Sequence, residues 1–262
     1  MSPMSNEIMS ELRKDYIYNL AIKEERVDGR GFKDYRELVI ETGIINKAEG
    51  SARVRLGKTE VVVGVKIQPG TPFPDTPDKG VIITSLELIP LASPEFESGP
   101  PREDAIELAR VVDRGIRESG SIDLSKLCVE AGEKVWMVFI DVHVLDDGGN
   151  IMDAASLGAI AALLTAKLPA ERYGLGTDAD LPMRDVPVAV TAALIGGAIV
   201  LDPSIEEEAV AGTRMTVISN QEGALSGMQK SGTAPLTTEQ MNYIVDIAIE
   251  KAKEIREKFL EI

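Results

Sequence analysis

The sequence has 262 residues, of which 44% are hydrophobic, and a formal net charge of −15. A chain of this length can bury a sizeable core, but no window holds the roughly 18 uninterrupted apolar residues that a membrane span needs. The excess of acid excludes a broad basic surface for nucleic-acid phosphates. Any RNA contact must therefore be a local arginine patch, or be shared with a basic partner.

Cys128 is the only cysteine and His143 the only histidine, which excludes a disulfide framework and a Cys/His metal cluster within the chain. A magnesium site built from carboxylates is not excluded by the numbers of cysteines and histidines. The first residues carry acids where a signal peptide would have its apolar core, so we expect a cytoplasmic protein.

In chain order, the pattern first predicts a helix over residues 6–24. Its apolar stripe consists of Ile8, Leu12, Tyr16 and Leu20. Runs rich in Val and Ile then predict four strands, at residues 37–45, 51–56, 60–67 and 81–89, with a proline-rich loop from residue 69 to 77.

A second helix is predicted over residues 102–119, with an apolar stripe of Ala105, Leu108, Ala109, Val112 and Ile116. Residues 134–145 follow as a central strand that we expect to be buried on both faces, with His143 in the core. A turn at residues 146–150 leads to a helix over residues 153–167. This helix is apolar nearly all round and should lie inside the fold, with Asp153 as its N-cap.

After a loop at residues 169–185, two strands at residues 186–194 and 198–201 form a predicted hairpin through Gly196 and Gly197. Strands at residues 214–219 and 224–228 follow. The last helix opens with a capping box, Thr237 and Gln240, and its stripe comprises Met241, Ile244, Ala248, Ala252, Ile255 and Phe259. Together these elements predict an α+β domain of two packed α/β halves, with a boundary near residues 150–185.

Several motifs occur together in a specific order along nearly the whole chain. They are Arg26-Val27-Asp28-Gly29-Arg30, Arg36, Glu49-Gly50-Ser51-Ala52, Gly57-Lys58-Thr59-Glu60-Val61, Glu97-Ser98-Gly99-Pro100-Pro101, Glu107-Leu108-Ala109-Arg110, Asp147-Gly148-Gly149 and Val200-Leu201-Asp202-Pro203. The ordered set resembles the RNase PH family. Residues 97–117 are most similar to the non-catalytic subunits of the archaeal exosome ring.

This resemblance implies an RNase PH-like fold, in which mixed β-sheets pack against helices. It also implies a hexameric ring of three heterodimers with a catalytic sister subunit, around a central channel, together with RNA-binding cap proteins and RNA as partners. Active family members use inorganic phosphate to attack the 3′-terminal phosphodiester of RNA and release nucleoside diphosphates.

The sequence lacks the cation that a phosphate site needs. Phosphate binding calls for a turn whose amides face the anion at a helix N-terminus, with fixed cationic donors beside it. Here no Lys or Arg occurs between Lys134 and Lys167, and Asp153 adds a negative charge instead.

The acids are also incomplete. Asp202 stands where active members have their first acid, but no Asp or Glu occurs between Glu208 and Glu222, where the second is expected. Asp202 before Pro203 is then better interpreted as a turn residue. We predict no catalytic residue, no metal site and no cofactor.

Arginines of the second helix are the predicted RNA-binding residues. Arg110, Arg114 and Arg117 form one stripe, although Glu107 and Asp113 are spaced to pair with Arg110 and Arg117 along the same helix. Resemblance to ring subunits that send arginines from this helix towards RNA favours RNA contact for Arg110 and Arg114. The sequence alone leaves Arg26 and Arg30 open between a structural turn and an RNA contact.

The predicted function is a non-catalytic ring subunit that structures the active site of its sister and helps to bind RNA. An active phosphate-dependent 3′-to-5′ exoribonuclease with a differently built phosphate site is the alternative. An unrelated small-molecule enzyme is a weaker one, because the glycine turn lacks the Lys-Ser/Thr of a phosphate loop.

Overall fold

The structure, a computed structural model, describes residues 3–260, with side chains from residue 12 onward. It has five α-helices within that range. They are α1 (Pro3–Ile22), α2 (Glu103–Glu118), α3 (Ile151–Leu164), α4 (Ile205–Val210) and α5 (Thr238–Phe259). No helix in the described range is both long and apolar enough to cross a membrane.

The first sheet holds six strands. They are β1 (Leu38–Thr42), β2 (Gly50–Leu56), β3 (Thr59–Gly70), β4 (Val81–Leu88), β5 (Cys128–Glu130) and β6 (Lys134–Asp146). Its order is β1-β2-β3-β6-β4, with β5 also paired to β6. The sheet is mixed, because β4 runs parallel to β6 while the other pairs are antiparallel.

The chain then forms a two-stranded ribbon and a second, antiparallel sheet. The ribbon strands are β7 (Lys167–Leu168) and β8 (Ala179–Asp180), and the second sheet has β9 (Val188–Ile195), β10 (Ala198–Leu201), β11 (Thr213–Ser219) and β12 (Leu225–Ser231). The order of the second sheet is β10-β9-β11-β12. The predicted hairpin is confirmed: Gly196 and Gly197 both have positive φ, 59° and 89°, as a tight hairpin turn requires.

Helix α3 lies between the two sheets, in contact with β2 and β3 on one side and β9 on the other. All its residues from Asp153 to Leu163 are buried, as the all-round apolar pattern predicted. Helix α2 contacts β4 and β12, so it belongs to the same layer, while α5 packs on β9 and β11. These contacts produce one continuous core that includes residues of both sheets, and the predicted α+β class is confirmed.

Strand β6 was predicted to be buried on both faces, and this is wrong. Val138, Ile140, Val142 and Val144 are buried towards the helices, but Phe139, Asp141 and His143 on the opposite face are not. His143 is therefore not a core residue. Its side chain is 44% exposed, with Nδ1 3.4 Å from Glu87 Oε2. In the part of the chain that the structure describes, helices cover only one face of the first sheet, which the apolar character of β6 did not show.

The predicted stripe of α1 is also wrong in detail. Leu12 and Tyr16 are exposed, whereas Ile17 and Ala21 are buried; the side chain of Ile8 lies outside the described part. For α5, both bonds of the predicted capping box are present. Met241 in its stripe is exposed, but the four central members, Ile244, Ala248, Ala252 and Ile255, are buried.

Candidate functional site

The glycine turn between β6 and α3 lies where elements of both sheets meet. Gly149 has φ +90°, and a Cβ there would lie 2.3 Å from the backbone nitrogen of Ile205, so only glycine fits. The Gly148 carbonyl accepts a hydrogen bond of 2.8 Å from Arg36 Nη1. The same carbonyl accepts the backbone N–H of Ile205 at 3.0 Å, which holds the turn against the corner between β10 and α4.

Asp202 is fully buried at that corner, with φ 49°. Arg36 donates to its carboxylate from Nη2 at 2.7 Å and from Nε at 2.9 Å, and Arg30 Nη1 donates at 2.9 Å. Asn150 Nδ2 donates at 2.8 Å. Burial alone would raise the pKa of Asp202, but the hydrogen bonds and charge of Arg36 outweigh it and lower the pKa.

Asp202 is a turn residue, as the sequence predicts, because its φ is positive. Its side chain is in addition the centre of a buried ion-pair cluster, which the sequence did not predict. Both carboxylate oxygens are bound by donors of the chain itself. An acid with its oxygens occupied in this way is poorly placed to bind a metal ion or to transfer a proton.

The prediction that Asp153 is the N-cap of α3 is wrong. Asn150 occupies that position, in a left-handed conformation with φ 56°. Asp153 lies in the first turn, fully buried, and accepts hydrogen bonds from Tyr35 Oη at 2.5 Å and Thr191 Oγ1 at 2.7 Å. Asn150 Nδ2 donates to it at 2.8 Å. Burial raises the pKa of Asp153 to about 6, although these donors oppose the rise.

Glu208 of α4 places a carboxylate against the N-terminus of α3. Its Oε1 accepts the backbone N–H of Asn150 at 3.0 Å, and its Oε2 lies 2.9 Å from Arg214 Nη1. Burial raises the pKa of Glu208, while Arg214 acts in the opposite direction. A helix N-terminus with a nearby arginine is an anion site, and here the anion that occupies it belongs to the chain.

The sequence did not predict the contacts of Glu208, which it showed only as the last acid before a stretch without Asp or Glu. No local pattern signals the role, because Asn150, Glu208 and Arg214 lie on separate elements. The capping box of α4, between Ser204 and Glu207, is a local feature that would have located the helix and the face from which Glu208 projects.

A cavity of about 190 Å³ opens beside this cluster. Four acids and one arginine line it: Asp104, Glu107, Asp147, Glu208 and Arg214. This balance disfavours a phosphate ion. Among the described residues no group of His, Cys, Asp or Glu side chains is arranged to hold a metal ion.

The structure decides the question left open for Arg26 and Arg30. The Arg26 side chain is 1% exposed and donates to Glu207, with Nη2 2.6 Å from Oε2, and to the Leu201 carbonyl at 3.0 Å. Arg30 binds Asp28 at 2.7 Å as well as Asp202. Both arginines therefore brace the turn at residues 26–31 against the second sheet, and buried Arg26 cannot reach RNA.

Arg110 and Arg114 both lie exposed on α2. Within the described part of the chain, Arg110 has no ion-pair partner, so the pairing with Glu107 that its spacing allows does not form. Arg114 Nη1 lies 3.5 Å from Gln229 Oε1, at the rim of the cavity. Arg117 pairs with Asp113 at 3.0 Å, as its spacing predicted. Of the three arginines in this stripe, the two predicted to bind RNA are thus the ones without a carboxylate partner among the described residues.

The comparison with known protein families agrees with the geometry. A sequence profile described as the 3′ exoribonuclease family, domain 1, matches residues 34–169, and domain 2 of the same family matches residues 185–251. The chain belongs to the RNase PH family. The first match covers β1 to α3 of this RNase PH chain, and the second covers β9 to β12 and part of α5.

Relatives within the RNase PH family are similar over almost their whole length. Exosome complex component Rrp42 of Methanocella arvoryzae is 68% identical over 255 residues, covering 97% of this chain and 98% of the relative. The protein of the same name from Methanosarcina mazei is 61% identical over 261 residues, with 100% and 98% covered.

A solved structure titled as the Archaeoglobus fulgidus exosome with RNA bound to the active site contains a similar chain. It superposes with a TM-score of 0.94 at 53% identity, covering 96% of this chain and 99% of that one. The resemblance of the motifs to the RNase PH family and the fold expected from it are both confirmed.

Proposed function

We propose that this chain is a non-catalytic subunit of an exosome. It forms a hexameric ring of three heterodimers with a catalytic RNase PH-like sister, structures the sister's active site and helps to bind RNA. Support comes from relatives named as exosome components that match it over nearly their full length. The continuous core across both sheets supports a single domain with two packed halves.

The observation that carries the non-catalytic assignment is the carboxylate of Glu208 at the N-terminus of α3. This carboxylate binds the backbone N–H of Asn150 and the guanidinium of Arg214, which are the groups of this site that could hold a phosphate. A phosphate placed beside Glu208 would meet repulsion of roughly 1 to 4 kcal/mol per charge pair at about 4 Å, depending on the local dielectric. Asp153 and Asp202 are bound by donors of the chain itself and add further negative charge.

The proposed RNA-binding residues are Arg110 and Arg114. Both are exposed on the same helix, and neither is neutralised by a carboxylate within the described part of the chain. With so acidic a molecule, these local cations suit phosphate contacts near a basic sister better than independent RNA binding. RNA-binding cap proteins and a cytoplasmic location belong to the same proposal.

The experiment tests whether this chain contributes a catalytic site. Rings are reconstituted from this chain and its sister, once with the intact sister and once with a sister whose catalytic acids are changed to amides. We expect the intact ring to release nucleoside diphosphates from RNA and phosphate. The ring with the inactive sister, like this chain alone, should release none. Phosphate-dependent release from either would instead establish this chain as an active exoribonuclease.

A further inference from the structure

Two adjoining cavities form one groove along the N-terminal half of α2. The larger, of about 360 Å³, lies between α2, the end of β4 and the loop at residues 95–102. The smaller is the cavity of about 190 Å³ beside α3. Leu88, Phe96 and Asp104 line both, so the two cavities adjoin, and Leu88 and Phe96 give them a shared apolar side.

The walls of this groove are strongly acidic. Its acids are Glu87, Glu95, Glu97, Asp104, Glu107, Asp147 and Glu208, and its basic residues are Arg102 and Arg214. Both arginines are already paired, Arg102 with Glu97 and Arg214 with Glu208. Within the described part of the chain, Glu95, Asp104 and Asp147 have no cationic partner. The groove therefore presents uncompensated negative charge.

Asn150 supplies an independent sign of a missing hydrogen-bond donor. It lines the smaller cavity and is 1% exposed, yet its Oδ1 accepts no hydrogen bond from any described residue. Its Nδ2 is directed at Asp153 and Asp202, neither of which lines the cavity, so Oδ1 lies on the other arm of the amide. Buried amide oxygens are normally hydrogen-bonded. A ligand with N–H groups would satisfy this one.

We infer that the groove binds an arginine or lysine side chain on a basic segment of the catalytic sister subunit. The acids would pair with the cation, Asn150 Oδ1 would accept one of its N–H groups, and Phe96 and Leu88 would pack against its aliphatic stem. The inference rests on the proposed function. Glu107 lies three and seven residues before Arg110 and Arg114, on one face of α2. If those arginines point to RNA beside the sister, Glu107 faces the sister too.

The test removes charge from the groove without changing side-chain shape. In the variant Asp104→Asn with Glu107→Gln, two groove acids become neutral. The matched control is Glu103→Gln with Glu118→Gln, which removes the same charge from exposed positions of the same helix that do not line the groove. Affinity for the sister is measured by calorimetry at low and high salt, and thermal unfolding of each variant checks the fold.

We expect the groove variant to bind the sister about ten-fold more weakly, with a flatter salt dependence, while the control stays within about two-fold of wild type. Equal affinities for groove variant and control would overturn the inference. So would unchanged assembly combined with tighter RNA binding, which would make the acids a repulsive wall of the RNA path. If even the wild-type chain does not assemble with the sister, it is the proposed function that fails.

Discussion

Asp202 shows how one buried carboxylate can be a structural residue in a position that suggests catalysis. Its partners Arg30 and Arg36 come from the segment before β1, and Asn150 comes from the turn before α3. A charge buried at 0% exposure is tolerated only when it is paired and hydrogen-bonded. The ion pairs therefore hold three distant segments together.

Changing Asp202 to Asn tests this role. At pH 7 the variant should lose about 3 to 5 kcal/mol of unfolding free energy, because two largely buried arginines lose their counter-charge. The folded pKa of Asp202 is lowered, so its contribution is complete above the unfolded pKa of about 3.9 and is lost as the pH falls through the folded value. The difference from wild type should shrink in acid. Urea unfolding at pH 7 and below pH 4 measures it.

Asp28→Asn is the control for this prediction. Asp28 also binds Arg30, but its side chain is 43% exposed, and exposed ion pairs contribute roughly 0 to 1 kcal/mol. A loss in Asp202→Asn as small as that of Asp28→Asn would show that the buried cluster does not stabilise the fold.

At the scale of the element, α2 combines a buried face with two proposed functions on its surface. Ala105, Ala109, Val112 and Ile116 are buried against the core, and the predicted stripe of this helix is confirmed apart from Leu108, which is half-buried. Its exposed residues carry acids towards the N-terminus and arginines further along. Surface changes on α2 can therefore be made without disturbing its packing.

Changing Arg110 and Arg114 together to Glu tests the RNA-binding prediction. Each exposed substitution should alter stability by about half a kcal/mol, so the ring should still assemble. RNA affinity of the assembled ring should fall for all RNA sequences. The dependence of binding on salt should flatten, since fewer counterions are released. Fluorescence anisotropy with labelled RNA at several salt concentrations measures both effects, and degradation of long RNA should slow.

The control changes Lys47 and Lys134 to Glu, which alters net charge equally at exposed positions away from α2. If the RNA affinity of the ring falls equally in this control, binding depends on overall charge and not on the α2 arginines. Unchanged affinity, salt slope and degradation in the α2 variant would remove RNA binding from Arg110 and Arg114.

At the scale of the whole molecule, the net charge of −15 shapes how the chain meets RNA. Acidic molecules repel nucleic-acid phosphates beyond a few local contacts. The same charge suits association with a basic partner, because complementary potentials accelerate and orient docking.

We therefore expect the isolated chain to bind RNA weakly and not to form a stable homohexamer, and the ring to appear only with the sister subunit. Sedimentation velocity with and without the sister, followed by RNA titration of each species, measures this. A homohexamer of this chain alone that binds RNA tightly would contradict the pairing.

The sequence by itself determined the α+β class, most strand and helix positions, the buried α3 and the family. These follow from apolar periodicity, turn residues and ordered motifs, which are local along the chain. The absence of a cation from residue 135 to 166 was equally visible. Only the tertiary structure decided the roles of Asp153, Asp202 and Glu208, because each has a partner that is distant along the chain. The bond from Thr191 to Asp153 spans 38 residues, that from Asn150 to Glu208 spans 58, and that from Arg36 to Asp202 spans 166. It also decided that one face of β6 stays partly exposed, since periodicity reports how apolar a strand is but not which layers cover it.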